Sequence, residues 1–504
     1  MDLKNVLLIQ VPFLQKEKVF PLGLAYIASF IRQYGFDVTV LDLQTEHLTN
    51  EKLLKRLSKI NFDIVGISAL VNRFQYVSFL SKELKRIKPV PIVVGNGLGT
   101  GAYKIVLENI PEVDICVIGE GEETFLDILK NVNRLEEIPG ISYRRNGTVI
   151  LNPNRIPKVD INAIPWPAYD LIDMDKYIVE SSDFLDTGYF TIRGREDVRR
   201  KIAYMITARG CPYNCKFCGR IIKQLRLRNI KDIIEEVKFI KNKYDASGIS
   251  FYDELLVLSK KRVIILAEEL KKLDILWSCQ GRVNLVDIDL LKKMKECGCV
   301  CIGYGIESGS QKILDAMDKK VKVEDIISAM QCANQAGLAV KVQLIFGYPG
   351  EDEHTVRETI ELFLKLKNPG RRFNIIRPLP GSRLYDELIE AGIIDNELEF
   401  IKYLETSLDM NLPIVNLTSF VDDEIKLKAC RAESIMLLNY LWYMIRYRLF
   451  QLLKDFLKSR GSFKTVMRYL LKLILTMNKS LFNFLLRDRY PKGYKIYSIR
   501  KQSL

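Results

Sequence analysis

Histidine is nearly absent: His47 and His354 are the only two in 504 residues. Imidazole is therefore scarce for metal ligation. Long apolar runs are missing too. None reaches the ~18 uncharged residues that a membrane span requires, and the longest towards the C-terminus, Ser434 to Ile445, stops at Arg446. The opening run "VLLIQVPFL" is short, has no basic lead and meets no small-residue cleavage site, so a signal peptide is not expected. No repeat of ~20–50 residues marks a solenoid, and nothing is Ser/Gly-rich. A cytoplasmic chain is expected, and its ten cysteines read as reduced thiols or metal ligands rather than a disulfide frame.

Charge is unevenly spread. The chain carries +14 overall. Residues 431–504 hold sixteen basic and three acidic residues, whereas the first 430 hold 60 and 59. The basicity belongs to a tail, and a basic block has an anionic partner more often than not.

Within the first 135 residues, "NVLLIQV" (Asn5–Val11), "DVTVLDL" (Asp37–Leu43), "DIVGIS" (Asp63–Ser68), "PIVVG" (Pro91–Gly95) and "DICVIG" (Asp114–Gly119) read as buried parallel strands. Helical patterns such as Leu22–Tyr34 and Phe74–Arg86 separate them. The alternation predicts a doubly wound α/β sheet, whose ligands sit at the carboxyl ends of the strands. Those ends carry Pro12, Ser68, Gly95, Gly97, Gly119, Glu120 and Glu122. Asn146–Gly147 between two alternating runs predicts a hairpin. Pro153, Pro157, Pro165 and Pro167 then mark an extended linker. Strand–helix alternation resumes at Ala203, with strands expected at Ala203–Ala208, Gly248–Tyr252, Leu276–Gln280, Cys301–Ile306, Ala339–Phe346 and Arg372–Ile376, a partial β/α barrel.

"TARGCPYNCKFCGR" sets Cys211, Cys215 and Cys218 as Cys-x3-Cys-x2-Cys. Three thiolates on one loop suit an iron–sulfur cluster and leave one iron open. The alternatives are three unrelated cysteines, or a zinc knuckle that lacks the fourth Cys or His zinc requires. Cys297, Cys299 and Cys301 admit a second cluster, but packing as small hydrophobes on a barrel strand is the preferred reading.

Here the sequence resembles the radical S-adenosylmethionine (SAM) superfamily. The resemblance covers about Ala203 to Ile394. It implies a 4Fe–4S cluster on the three cysteines, with SAM on the open iron. It also implies that Phe217 lies beside the adenine and that Asp253 and Glu254 face the SAM amino group. Glu307 and Ser308 of "GYGIESGS" then contact ribose or methionine. "VQLIFGYPGE", with Gln343, Gly347 and Gly350, resembles the family's fifth-strand motif, and "IIRPLPGSRLY", with Pro378 and Pro380, its sixth.

The N-terminal segments "FPLGLAYIASFIRQYGFDVTVLDL" and "DICVIGEGEETF", with "IPWPAYDLIDMDKY", resemble the radical SAM group that carries a cobalamin-binding domain, the class B methyltransferase-like group. No Asp-x-His-x-x-Gly motif offers cobalt a lower histidine ligand, and "GNGLGTG" stands where many relatives carry Gly-Gly-x-His. A purely structural Rossmann-like domain is the alternative. His47 reads as a loop residue.

The expected organisation is α/β: a Rossmann-like cobalamin-binding domain (1–135), a hairpin and Pro-rich linker (136–200), a partial (β/α)6 barrel (201–395), a connector (396–430) and a basic helical tail (431–504). In the tail, Phe463, Val466, Met467, Leu470, Ile474 and Met477 fall on one helical face, with Lys464, Arg468 and Lys472 as a separate stripe. An interfacial membrane helix is expected; packing on the barrel and RNA binding are the alternatives, and nucleic acid is disfavoured by the apolar face. The expected function is a cobalamin-dependent radical SAM enzyme that methylates or otherwise modifies an unactivated carbon of a lipid-like or other small molecule, fed by an external electron donor. Its rivals are an RNA-modifying, methylthiotransferase-like enzyme and a non-catalytic cobalamin or redox sensor. No catalytic side chain is singled out.

Overall fold

The computed structural model describes residues 3–13, 19–46, 48–157, 160–180, 201–220, 222, 224–366, 373–406, 414–425, 427–436, 438 and 497–498. His47 and nearly all of the basic tail lie outside the described residues. The chain divides into two compact units. One comprises Met1–Gly281, Asp289–Ile302 and Pro378–Leu408; the other comprises Arg282–Ile288, Gly303–Arg377 and Asp409–Leu504.

The first unit opens with β1 (Asn5–Gln10), α1 (Leu22–Arg32), β2 (Asp37–Asp42), α2 (Leu43–Glu46), α3 (Asn50–Leu57), β3 (Ile64–Ser68) and α4 (Phe74–Ile87). There follow β4 (Ile92–Gly95), α5 (Asn96–Gly101), α6 (Tyr103–Asn109), β5 (Ile115–Val117) and α7 (Glu122–Asn131), then β6 (Ile141–Arg145) and β7 (Thr148–Leu151). The strands form one sheet in the order β2-β1-β3-β4-β5-β6-β7. The first five are parallel. Strands covered on both faces read as unbroken apolar runs, and Val6, Leu7, Leu8 and Ile9 are all buried. Helices α1 and α7 press Tyr26, Phe30, Phe125 and Ile128 against the face that carries Val6 and Leu8. The hairpin forms at Asn146–Gly147, both at positive φ. It extends the sheet by two antiparallel strands.

One difference from the sequence reading lies after β4, where Gly97, expected at a strand end, is inside helix α5. A second lies in the Pro-rich segment, which is docked rather than extended. The Ala168 N–H donates to the Ala25 carbonyl at 2.9 Å. Its aromatic side chains supply the reason: Trp166 donates to Asp232 at 2.8 Å and Tyr169 to the buried Glu236 at 2.6 Å.

Beyond it come β8 (Val179–Glu180), β9 (Lys201–Met205), β10 (Ala208–Arg209), β11 (Arg226–Leu227), α8 (Ile230–Tyr244), β12 (Gly248–Phe251), α9 (Lys260–Lys272), β13 (Leu276–Gly281), α10 (Ile288–Glu296) and β14 (Cys299–Glu307). Then follow α11 (Gln311–Ala316), α12 (Val323–Ala336), β15 (Ala339–Phe346), α13 (Glu353–Leu366), β16 (Phe373–Ile375), α14 (Arg383–Glu390) and α15 (Glu397–Thr406). The short strands β17 (Val415–Asn416) and β18 (Tyr497–Ser498) pair in the second unit.

In the first unit β13, β12, β9 and β8 are neighbours in that order; in the second, β16, β15 and the latter part of β14 are. Register puts Tyr204, Ser250 and Ser278 on one face, and Ala203, Ile249 and Trp277 on the other. The first face is hydroxyl-rich, with Ser278 donating to Ser250 at 3.1 Å. Cys279 shares the apolar face with Trp277. Cys279, Cys297, Cys299 and Cys301 are all buried. A hydrogen bond with Cys299, together with burial, holds the Cys279 thiol well above its ordinary pKa. Neutral buried thiols pack as small hydrophobes.

Candidate functional site

The three cysteines lie on the loop that the antiparallel pair β10–β11 brackets. Gly210 enters it at φ +83°, and a Cβ there would stand 2.3 Å from the Gln224 carbonyl. Inside the loop the Cys218 N–H donates to the Cys215 carbonyl at 3.2 Å. Arg220 donates to the Cys211 carbonyl, and to Asn214 at 3.1 Å. From the start of α14 the Leu384 N–H donates to the Lys216 carbonyl at 2.9 Å, and Glu387 pairs with Lys216 at 2.8 Å. Cys218 is exposed. Enclosure, then Glu254, Cys215 and Cys211, push its thiol up to about 11, while Arg220 opposes them. The structure thus gathers the three thiols, Glu254 and Arg220, with Phe217 half-buried among them in sequence.

Among the described residues no three Cys, His, Asp or Glu groups converge tightly enough for a single metal ion. A cubane assigns each thiolate to a different iron, so its ligands stand further apart than those of a mononuclear centre. The donor set, three thiols on one irregular loop, fits that cluster.

Asp253 and Glu254 follow β12 but face different surroundings. Asp253 is buried and accepts from the Thr207 N–H at 2.8 Å. Burial raises its carboxyl to about 6, and its Oδ2 has no hydrogen-bond partner. An orphaned buried carboxylate oxygen fits an ammonium group. Glu254 is exposed.

The second unit holds the remaining SAM candidates at the carboxyl ends of β14 and β15. Glu307 sits at φ +66° and its carboxylate accepts from the buried Lys319 at 2.8 Å. Ser308 is 1% exposed. It lies 3.3 Å from the Thr359 hydroxyl and accepts from the Ser310 N–H at 3.1 Å, so its hydroxyl secures the start of α11. Gln343 is half-buried on β15. The Gly347 N–H donates to Glu351 at 2.5 Å.

At the strand ends of the N-terminal sheet, Pro12 and Ser68 are half-buried, and Ser68 accepts from Asn96 at 3.2 Å. No atom lies within 4 Å of where a Cβ would stand on Gly95 or on Gly119, which has φ +83°. Open space at these two strand-end glycines would let a flat ring approach the backbone closely. Gly97 faces Leu70 and Val71 at 3.8 Å inside α5.

Glu120 and Glu122 turn elsewhere. Arg209 donates to Glu120 at 2.8 Å and to Glu122 at 2.7 Å, and Arg226 donates to Glu120. Burial alone would lower the Arg209 pKa; Glu122 and Glu120 outweigh it and hold the guanidinium above its ordinary value. Sequence reading missed Arg209, Arg226, Arg220, Lys319 and Glu351. Arg209 and Arg220 lie in "TARGCPYNCKFCGR" and Glu351 in "VQLIFGYPGE", but nothing in those strings marks the groups they pair with.

The B12 binding domain family matches residues 16–129, and the radical SAM superfamily matches residues 205–363. An uncharacterized methyltransferase of Pyrococcus horikoshii is 32% identical over 88% of this chain and 91% of its own length. The anaerobic magnesium-protoporphyrin IX monomethyl ester cyclase of Rubrivivax gelatinosus is 27% identical over 73% of this chain and 66% of its own. The solved structure of TsrM from Kitasatospora setae, a radical SAM methyltransferase with cobalamin and a [4Fe-4S] cluster bound, shares the fold. It gives a TM-score of 0.63 at 16% identity, covering 77% of this chain and 78% of that one. Fold and matched domains together define a radical SAM enzyme. The chain belongs to the radical SAM superfamily, in its cobalamin-dependent, methyltransferase-like group with an N-terminal B12-binding domain. Its cofactors are a 4Fe–4S cluster, SAM and cobalamin. No described helix is long and apolar enough to cross a membrane.

Proposed function

We propose that the chain methylates an unactivated carbon of a lipid-like or other small molecule, with Cys211, Cys215 and Cys218 as cluster ligands. The observation that carries this reading is that the three-cysteine loop and the open glycines Gly95 and Gly119 belong to one compact unit. When bound, the cluster and SAM supply a 5′-deoxyadenosyl radical that takes hydrogen from the substrate, and cobalamin supplies the methyl group.

The chain's own residues hold and orient these groups. Three thiolates take three irons and leave the fourth open. Phe217 flanks the adenine, and Glu254 and the orphaned oxygen of Asp253 receive the SAM ammonium. Within the second unit Ser308 holds the turn that carries Glu307. Pro12, Ser68, Gly95, Gly97 and Gly119 line the corrin, while Glu120 and Glu122, expected there from the sequence, are taken up by Arg209 and Arg226. The division at 1–135, 136–200, 201–395, 396–430 and 431–504 belongs to the same reading, with the tail on an anionic membrane surface.

Anaerobic reconstitution with iron, sulfide and hydroxocobalamin tests it. The unaltered chain should keep both chromophores. Changing all three cysteines to Ala should abolish iron–sulfur absorbance and SAM cleavage while cobalamin stays bound. A triple variant that still takes up cluster and cleaves SAM overturns the ligand set, and a chain that retains no cobalamin overturns the methyl donor. Feeding methyl-deuterated methionine separates methyl transfer from cyclisation, the second reading, which the Rubrivivax relative favours. An RNA methylthiotransferase would normally need a second three-cysteine set in the N-terminal domain. Cys116 is the only cysteine before Cys211, and it is buried in β5 with its thiol pushed up by burial.

A further inference from the structure

Glu120 follows the open Gly119 in the chain, and its two carboxylate oxygens go to different strands. Oε2 accepts from Arg209 on β10 at 2.8 Å, and Oε1 accepts from Arg226 on β11. Those strands are the two ends of the segment that carries Cys211, Cys215 and Cys218. Glu122 adds a second contact to Arg209 at 2.7 Å, whose guanidinium also lies 4.7 Å from the centre of the Tyr26 ring. The four charged side chains are between 6% and 14% exposed, so water screens them little. Buried ion pairs of this kind roughly offset their own desolvation, and their best-attested use is to fix one arrangement among several.

We infer that Glu120 is a positioning residue that sets the spacing between the corrin site and the cluster loop. It closes the base of that loop by joining both strands of β10–β11 to the turn after β5. Each carboxylate oxygen is engaged by an arginine. Glu120 therefore acts through the hairpin, and its loss should leave both cofactors bound but loosely related. The inference rests on the functional reading above.

Electron paramagnetic resonance reads the spacing without substrate, because cob(II)alamin and the reduced cluster each carry unpaired spin and speed each other's relaxation when held close. The unaltered enzyme, Glu120→Gln, Arg226→Gln and Glu122→Gln would be reconstituted with both cofactors and compared. Glu120→Gln should keep full iron and cobalamin occupancy, while the microwave power that half-saturates the cobalt signal falls severalfold. Arg226→Gln, which frees β11 alone, should fall between. Glu122→Gln, which leaves both strands joined, should stay near the unaltered value. Unchanged relaxation in Glu120→Gln and Arg226→Gln with both cofactors bound overturns the inference. So does loss of the folded state in both, which would make the network purely structural. An unaltered enzyme that takes up no cluster or no cobalamin instead counts against the functional reading.

Discussion

Glu351 shows how a single buried group ties stability to pH. It is 2% exposed, and its carboxyl accepts from the Gly347 N–H at 2.5 Å. Burial raises its pKa from 4.5 to about 8, with Asp352 adding to the rise and the backbone bonds opposing it. A folded pKa above the unfolded one means that protonation favours the folded state. The contribution is complete below pH 4.5 and is lost as pH rises through about 8. A tenfold difference in proton affinity between the folded and unfolded states is worth ~1.4 kcal/mol. Between pH 5 and 8.5 the unaltered chain should lose about 2–4 kcal/mol of unfolding free energy relative to Glu351→Gln, measured by denaturant titration at both pH values. Parallel curves for the two proteins would refute it. Sequence reading named Gly347 and passed over Glu351, because burial of a carboxyl after a Gly-rich turn leaves no mark in local pattern. The same holds for Arg209 and Arg226, whose partners lie 87 and 106 residues away in the chain.

At the scale of elements, the strands were legible and α5 was not. Observed strand limits follow the expected ones within two residues in the N-terminal sheet, because apolar runs bounded by Gly, Pro and Asp leave few registers. "GNGLGTG" has poor helix propensity, and only tertiary contact explains its composition. A Cβ on Gly99 would stand 2.4 Å from the Val94 carbonyl oxygen, and one on Gly101 would stand 2.4 Å from that of Pro380. The Pro380 turn precedes α14, and α15 returns to α4. There Glu405 accepts from the Gln75 and Tyr76 N–H groups at 2.5 and 3.2 Å and pairs with Arg73. Gly101→Ala should therefore force the Pro380 turn away and cost about 1–3 kcal/mol, seen as a lower unfolding midpoint and faster proteolysis near residue 380. Gly97→Ala has room, its nearest neighbour being 3.8 Å away. It should change stability by no more than ~1 kcal/mol, while weakening cobalamin retention if that face meets the corrin. Equal destabilisation by the two substitutions would refute the argument.

For the whole molecule, the excess charge decides what to expect of the tail. Residues 431–504 hold sixteen basic and three acidic residues, and the rest of the chain is close to neutral. Near an anionic leaflet each Lys or Arg contributes ~1 kcal/mol, screened beyond a Debye length of ~8 Å at physiological salt. A subset facing the surface suffices when an apolar helical face is buried beside it. Trp442, Tyr443 and Tyr447 suit the headgroup region, where an apolar ring and a polar tip are both satisfied. Arg446, Arg448 and Lys454 interrupt any span, so attachment should be reversible. The full chain should co-sediment with anionic vesicles at low salt and be released as salt rises, and a chain truncated near Cys430 should stay folded and unbound. If the tail instead packs on the barrel, truncation yields insoluble protein and the full chain ignores vesicles. If it grips RNA, the full chain shifts RNA in a salt-sensitive way and is indifferent to lipid. A folded full chain that ignores anionic vesicles at low salt removes the reason for a membrane-resident substrate and leaves the cobalamin-dependent radical chemistry untouched, because that rests on the B12-binding and radical SAM domains alone.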